Sequence, residues 1–239
     1  MSESTLAPSV RVISTFEKDG IPYTIRTASA QDIPFLAWMQ HEASLPPSDF
    51  SFWDGPMYDF GLDTRAFIET VLRLDAGTWG AVNNFFVLER EGEPVAAAAG
   101  IEASADFARG PVRISAIESI GQTLGWSAEQ TDTFRQRYTE QWPDPQGNFL
   151  LLPQAPWIIE SVALIPQARG RGLVKPLMNA LLDEGRRRGH SSVGITVANG
   201  NAPAQHVYER MGFEMYLAFG PAFFGQPGFG GYTKYKMAL

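Results

Sequence analysis

Between Ile158 and Leu173 the chain reads Ile-Ile-Glu-Ser-Val-Ala-Leu-Ile-Pro-Gln-Ala-Arg-Gly-Arg-Gly-Leu. Two kinds of chemistry are written there. Glu160 stands among Trp157, Ile158, Ile159, Val162, Ala163 and Leu164, and a carboxylate in so apolar a strand is costly unless it is used or paired. Partial burial raises its pKa toward a value suited to taking a proton, directly or through a water. A structural ion pair or a solvent-facing edge position would explain the same residue. The Gly/Arg stretch leads straight into an amphipathic helix. Backbone N–H groups at a helix N-terminus have no intrahelical partner, and the helix dipole favours negative charge there. Glycines bring those amides close to a ligand with no Cβ in the way. The expected ligand carries a phosphate or a pyrophosphate.

Two common phosphate motifs do not fit. The chain has no Gly-Lys pair, which a Walker loop requires, and a dinucleotide fingerprint fails because Lys175 stands where its third glycine belongs. The loop does match Arg/Gln-x-x-Gly-x-Gly/Ala, in two registers. Gln167-x-x-Gly170-x-Gly172 fits in full; Arg169-x-x-Gly172-x-Val174 fits except at Val174. The second is preferred for its Pro166 and Arg-Gly-x-Gly-Leu spacing. A second motif, Asn201-x-x-Ala204-x-x-x-Tyr208-x-x-x-Gly212-Phe213, begins 29 residues after Gly172. Together these resemble the acetyl-CoA signatures of the GNAT superfamily of N-acetyltransferases, most firmly from Trp157 to Leu217 and weakly before Val95.

The resemblance implies an α/β fold with a central mixed β-sheet flanked by helices and opened where CoA inserts. Acetyl-CoA, or another short acyl-CoA, is the implied co-substrate, and an amine the implied acceptor. By the same resemblance Val162 and Leu164 offer backbone groups to the pantetheine arm. The loop Arg169, Gly170, Arg171, Gly172, Leu173, Val174 and Lys175 holds the phosphates, with Asn201 beside the cofactor. Asn201, Ala204 and Tyr208 share a helix face. Ala204 leaves room for a bound cofactor, and Tyr208 can protonate the departing thiolate. Asn201 also suits an N-cap ahead of Pro203. Glu160 is the candidate base that makes the amine nucleophilic, with Glu118 a weaker rival. The expected function is direct acyl transfer to a primary amine, with a small-molecule acceptor first. The alternatives are a protein N-terminal or lysine acetyltransferase and a non-catalytic acyl-CoA sensor.

Around these residues the pattern predicts a single domain. Residues 1–20 read as a loose lead-in and Tyr23 to Arg26 as a first strand. Helices follow at Asp32 to Glu42 and Thr64 to Leu74. Phe85 to Ile101 reads as a hairpin turning at Glu91-Gly92. Residues 104–150 read as a helical insertion between the third and fourth strands. It holds helices at Ser115 to Leu124 and Ser127 to Gln141, the latter opened by a Ser127-x-x-Gln130 capping box. Then come a strand at Trp157 to Leu164, a helix at Val174 to Arg188, a strand at Ser192 to Val197, a helix at Pro203 to Met211 and a strand at Phe213 to Phe219. A Gly/Phe-rich loop over 220–231 leads to a last strand, Tyr232 to Met237. Trp38, Phe50, Phe52, Trp53, Tyr58, Phe60, Phe223, Phe224 and Phe229 are candidates for lining an acceptor pocket, though aromatics of this number are more often core.

Composition narrows the classes. A formal net charge of −7 argues against a nucleic-acid surface. The basic run Arg186-Arg187-Arg188 before Gly189 reads as ordinary helix-end capping. With no cysteine there is no disulfide and no acyl-cysteine intermediate. His41, His190 and His206 lack metal-ligand spacing, so no metal is expected. No segment has the apolar length of a signal peptide or a membrane span, and the expected location is cytoplasmic. The expected partners are acyl-CoA and the amine, with neither nucleic acid nor membrane; a homodimer is left open.

Overall fold

The computed structural model describes residues 10–143, 150–224 and 230–239. Its strands are β1 (Val12–Lys18), β2 (Ile21–Thr27), β3 (Phe85–Arg90), β4 (Glu93–Glu102), β5 (Trp157–Leu164), β6 (Ser192–Ala198), β7 (Glu214–Phe219) and β8 (Tyr232–Ala238). They form one mixed sheet in the order β1-β2-β3-β4-β5-β6-β8-β7. The helices are α1 (Ile33–Ser44), α2 (Asp54–Met57), α3 (Thr64–Arg73), α4 (Ile117–Leu124), α5 (Ala128–Gln141), α6 (Val174–Arg187), α7 (Ala202–Arg210) and α8 (Pro221–Phe224).

The expected elements are present with small shifts at their ends, and three additions correct the reading. Within the expected lead-in, of which residues 1–9 lie outside the described residues, Val12–Lys18 is an antiparallel edge strand on β2. The missed signal is the two-residue turn Asp19-Gly20, with φ of 54° and 74°. Asp-Gly with both φ positive is the hairpin turn whose twist matches that of the strands it joins. Glu91-Gly92, read correctly as a turn, has the same signs, 54° and 86°. Phe16 stacks on Tyr23 with ring centroids 5.3 Å apart, giving the new strand an apolar anchor. Counting β1, the insertion lies between β4 and β5. The other additions are short helices, α2 and α8, the latter within the segment read wholly as loop.

Alternation of side chains splits the core by face. Ala97 and Ala99 of β4 pack with Leu36 of α1, Phe67 of α3, Ile120 of α4 and Phe134 of α5. Ala96 and Ala98 point the other way, to Leu177 and Leu181 of α6 and Tyr208 of α7. Both faces of the central strands are covered, so β4 reads as a continuous apolar run. At the start of α1 the buried Asp32 carboxylate accepts from Arg26 Nη1 and Nη2 at 2.9 and 2.7 Å, and Arg26 Nε donates to Glu89 at 2.7 Å. That network ties α1 to β2 and β3. The basic run at the end of α6 is occupied locally: Arg187 and Arg188 donate to Glu184.

The insertion is built by its own local signals. Ser127 caps α5, accepting from Gln130 N at 3.1 Å, while Gln130 Oε1 accepts from Ser127 N at 2.9 Å. One buried hydroxyl then docks α5 on the preceding segment. Tyr138 Oη accepts from Val112 N and donates to Val112 O, both at 2.8 Å. Tyr138→Phe keeps the ring and orphans the Val112 amide. A loss of about 1–3 kcal/mol is expected, the penalty for one buried unsatisfied group. Urea unfolding of wild type and variant measures it; an unchanged midpoint would mean that water replaces the hydroxyl.

Candidate active site

The site begins with a fault in the sheet. β5 pairs with its parallel neighbour β6 only at Trp157–Val193, Ile158–Gly194 and Ile159–Ile195. Beyond Ile159 the two strands part, while β6 stays paired with β8 through Ala198. On its other edge β5 carries a bulge against β4. Ala99 faces Glu160 and Ala97 faces Ala163, so Ser161 and Val162 together oppose Ala98. Ser161 has φ 54°, the left-handed conformation a bulge residue can take. An extra residue resets the side-chain alternation. Ile159 and Val162 both pack with the α6 and α7 core, whereas Ile158 and Ala163 lie on the opposite face.

Between the parted strands a cleft of ≈ 1090 Å³, counting its open mouth, is lined by Glu160, Ser161 and Val162 of β5, Asn201 and Tyr208 around α7, and Tyr232 and Lys234 of β8. The structure thus brings together the two residues expected to do proton chemistry. Glu160 has its carboxyl pKa pushed up to about 8 by burial, and the nearby Lys234 ammonium opposes that rise. Burial also pulls Lys234 down to about 8, against the pull of Glu160. Tyr208 is driven above its ordinary value of 10, first by burial and then by the Glu160 charge. Tyr232 rises to about 12 for the same two reasons. Four ionisable side chains therefore share one poorly hydrated space. Lys234 also donates to the carbonyl of Leu152. Neither Lys234 nor Tyr232 was singled out from sequence. Both sit in a strand whose polar residues read as ordinary alternation, and only strand order places them beside Glu160.

The Gly/Arg loop lies at the start of α6. Gly170 and Gly172 have φ of 71° and 68°. A Cβ on Gly170 would meet nothing within 4 Å, and one on Gly172 only Lys18 Cε and Nζ, each at 3.9 Å. The loop surface is open and its backbone unshielded, which fits a pyrophosphate against the first amides of α6. Arg171 and Lys175 are exposed there. Lys18, at the end of the strand sequence reasoning missed, adds a third cation. Arg169 is turned elsewhere: its guanidinium donates to Leu164 O at 3.2 Å and pairs with Glu42 of α1. Its evident work is to brace the loop. Leu173 is buried and Val174 half-buried in the α6 core, so their side chains anchor the helix start. Leu164 is buried in that core as well, while Val162 reaches the cleft. Asn201 caps α7, its Oδ1 accepting from Ala204 N at 3.3 Å.

Glu118 is exposed, pairs with Arg135 at 3.3 Å and does not line the cleft. Of the aromatic candidates, Phe52 and Trp53 line it. Trp38 and Phe60 pack against the α1 core, and Phe50, Tyr58 and Phe223 are exposed. Phe229 and the Phe224 side chain lie outside the described residues. Trp79, Phe107 and Trp142 line the cleft without having been singled out. Among the described residues no cluster of three or more His, Asp or Glu side chains could hold a metal, and no helix is long and apolar enough to cross a membrane.

Comparison with known proteins bears on the family and the fold. A streptothricin acetyltransferase of Streptomyces lavendulae is 44% identical over 55 residues, covering 23% of this chain and 29% of that protein. A mycothiol acetyltransferase of Gordonia bronchialis is 34% identical over 109 residues, covering 38% of this chain and 34% of that protein. Each match spans about a third of the relative's length. The crystal structure of a putative arylalkylamine N-acetyltransferase from the yellow fever mosquito superposes with TM-score 0.59 at 16% identity, covering 100% of this chain and 99% of that one. At that identity the likeness is one of fold. The model of the acetyltransferase (GNAT) family matches residues 57–213, reaching well before the segment where the sequence resemblance was firm. On that match the chain belongs to the GNAT acetyltransferase family.

Proposed function

We propose that the chain acts as one catalytic unit, an N-acetyltransferase that moves an acetyl group from acetyl-CoA to the primary amine of a small molecule. The observation that carries this reading is the meeting of Glu160 and Tyr208 in the gap where β5 and β6 part. The phosphates rest on the Gly170–Gly172 loop and the α6 N-terminus, with Lys18, Arg171 and Lys175 around them. The acyl end reaches the bulge at Ser161 through the gap, where β5 backbone groups beyond Ile159 have no β6 partner. Glu160 accepts the proton of the incoming amine. Its raised pKa suits that work near neutral pH, since a base is most effective when its pKa lies close to the working pH. Tyr208 donates to the departing sulfur. The same Glu160 charge that raises the phenol's pKa is neutralised once the base has taken its proton, which makes the donation easier at the moment it is needed. Lys234 tunes the pair.

A cleft enclosed by side chains favours a small acceptor over a protein surface. A non-catalytic acyl-CoA sensor would need the loop but would gain nothing from an acid and a base placed together.

Acetyl-CoA is expected to raise Tm, because a ligand bound only by the native state stabilises it. Gly172→Glu should abolish that shift, since it puts a side chain and a negative charge where phosphate sits; an unchanged shift would refute the loop assignment.

For the proton donor, Tyr208→Phe is expected to lower kcat by about 10²-fold or more, the range for losing one acid, while acetyl-CoA still raises Tm. Untouched turnover would show that the thiolate leaves unaided.

The Glu160 pKa has a stability consequence with a definite sign. From about 4.5 to about 8 the native state holds a proton that the unfolded chain has released, so stability falls as pH rises through that window. Lys234 acts oppositely between about 8 and 10.5, where the unfolded chain holds the extra proton and stability rises with pH. Glu160→Gln should flatten the first trend in a Tm-against-pH series. Lys234→Met should move the rising limb of kcat/KM to higher pH, because the charge that eases ionisation of Glu160 is gone. Coincident profiles for wild type and both variants would remove Glu160 from the base role.

A further inference from the structure

Proton chemistry accounts for only part of the cleft. On the side of α1 its wall is aromatic, and the rings come from three separate segments. Phe52 precedes α2, Trp79 follows α3, and Trp142 ends α5. Trp79 and Trp142 stand 5.1 Å apart between centroids at 79°. Phe52 lies 5.6 Å from each, at 76° and 86°. All three are half-buried and line the cleft, so each keeps apolar surface toward the space. They are also held in place. Trp79 Nε1 donates to Phe107 O at 2.8 Å, Gln141 Nε2 donates to Phe52 O at 2.8 Å, and Trp142 N donates to Tyr138 O at 2.9 Å. A rigid, apolar, partly open surface beside a reactive carboxylate is a binding wall rather than a packing remainder, because ordinary packing would have closed over it.

The charge inventory is as selective as the shape. Of the described residues lining the cleft, Glu160 and Lys234 are the only ones with an acidic or a basic side chain, and they are opposite in sign when ionised. Glu160 serves the reacting amine. A second ammonium on the acceptor would meet Lys234 and the rings, with no second carboxylate among the described lining residues to compensate its lost hydration. Attraction to ring faces offsets only part of that cost. A neutral ring incurs no such cost and gains from every contact.

We infer that the acceptor is a primary monoamine carried on an uncharged ring body, aromatic or alicyclic, with Phe52, Trp79 and Trp142 as the residues that select it. This rests on the acetyltransferase reading and names the acceptor class of the same site.

The test is the initial rate of thiol release from acetyl-CoA by the full chain with four acceptors: 2-phenylethylamine, cyclohexylmethylamine, spermidine and a lysine-containing peptide. The two ring amines are expected to exceed the others in kcat/KM by about 10- to 100-fold, the discrimination one apolar group in a pocket supplies. Trp79→Ala and Phe52→Leu should raise KM for the ring amines about tenfold or more while keeping the acetyl-CoA Tm shift. In the wild-type chain 2-phenylethanol, which has the ring but no amine, should inhibit competitively against the amine; this reads the same wall with no substitution. Preference for spermidine or for the peptide overturns the acceptor class and leaves the transferase reading standing, as does the absence of inhibition by 2-phenylethanol. Release with no amine at all, while acetyl-CoA still raises Tm, overturns the transferase reading and the inference with it.

Discussion

The parting of β5 from β6 is the constraint on which the rest of the molecule turns. A parallel pair that stops after Ile159 leaves backbone groups on β5 without a neighbouring strand, and unpaired buried backbone is expensive. The fold tolerates this because both strands stay paired on their outer edges: β4 holds β5, through a bulge, on one side and β8 holds β6 on the other. A bulge at Ser161 helps to separate the strands, at a conformational cost on the order of 1 kcal/mol for a non-glycine residue with positive φ. Strain and unpaired backbone at one place mark a surface shaped for something other than stability.

That same bulge decides which side chains meet. Without the extra residue, strict alternation would send Val162 to the face of Ile158 and Ala163 to the face of Ile159. With it, β5 keeps Ile159 and Val162 on the α6 and α7 core while Glu160 opens into the cleft. Tyr208 comes from that core, and the aromatic wall belongs to the other. The site is therefore assembled from both sides of the sheet through the only gap that joins them among the described strands. Electrostatics follow from the same geometry. Glu160, Lys234, Tyr208 and Tyr232 perturb one another because little water reaches between them, and each shift is led by burial.

The insertion between β4 and β5 contributes Phe107, Trp142 and Leu150 to the wall of the cleft. Its second helix, α5, presents Trp142 to the cleft, held by the turn at its end and by the Tyr138 hydroxyl that docks this helix on Val112. Arg169 bonds to Glu42 and so links the Gly/Arg loop to α1, whose Gln40, Ala43 and Ser44 line the cleft on the aromatic side.

Much of this was legible from residues alone. The apolar run at Trp157 to Leu164, the glycines at 170 and 172, the Ser127 capping box and the Asn201 cap are local signals, and local backbone preferences decided them. Glu160 declared itself because a carboxylate among β-branched and aromatic neighbours needs a reason. The Asp19-Gly20 hairpin was equally legible and was passed over, since Val12 to Lys18 is an edge strand with weak alternation and little burial. What sequence could not supply was proximity across long separations. Lys234 stands 74 positions from Glu160, Trp79 stands 63 from Trp142, and Lys18 stands 154 from Gly172. Strand order brings Lys234 to Glu160, and the packing of helices and loops on the sheet brings the other two pairs together. The bulge at Ser161 was hidden for the same reason: no residue in β5 announces it, and only the unequal register against β4 forces the extra residue in. Sequence determined which residues were chemically able, because that depends on side-chain type and near neighbours. Tertiary structure decided which of them share a dry space, because burial and charge coupling exist only once distant strands are side by side.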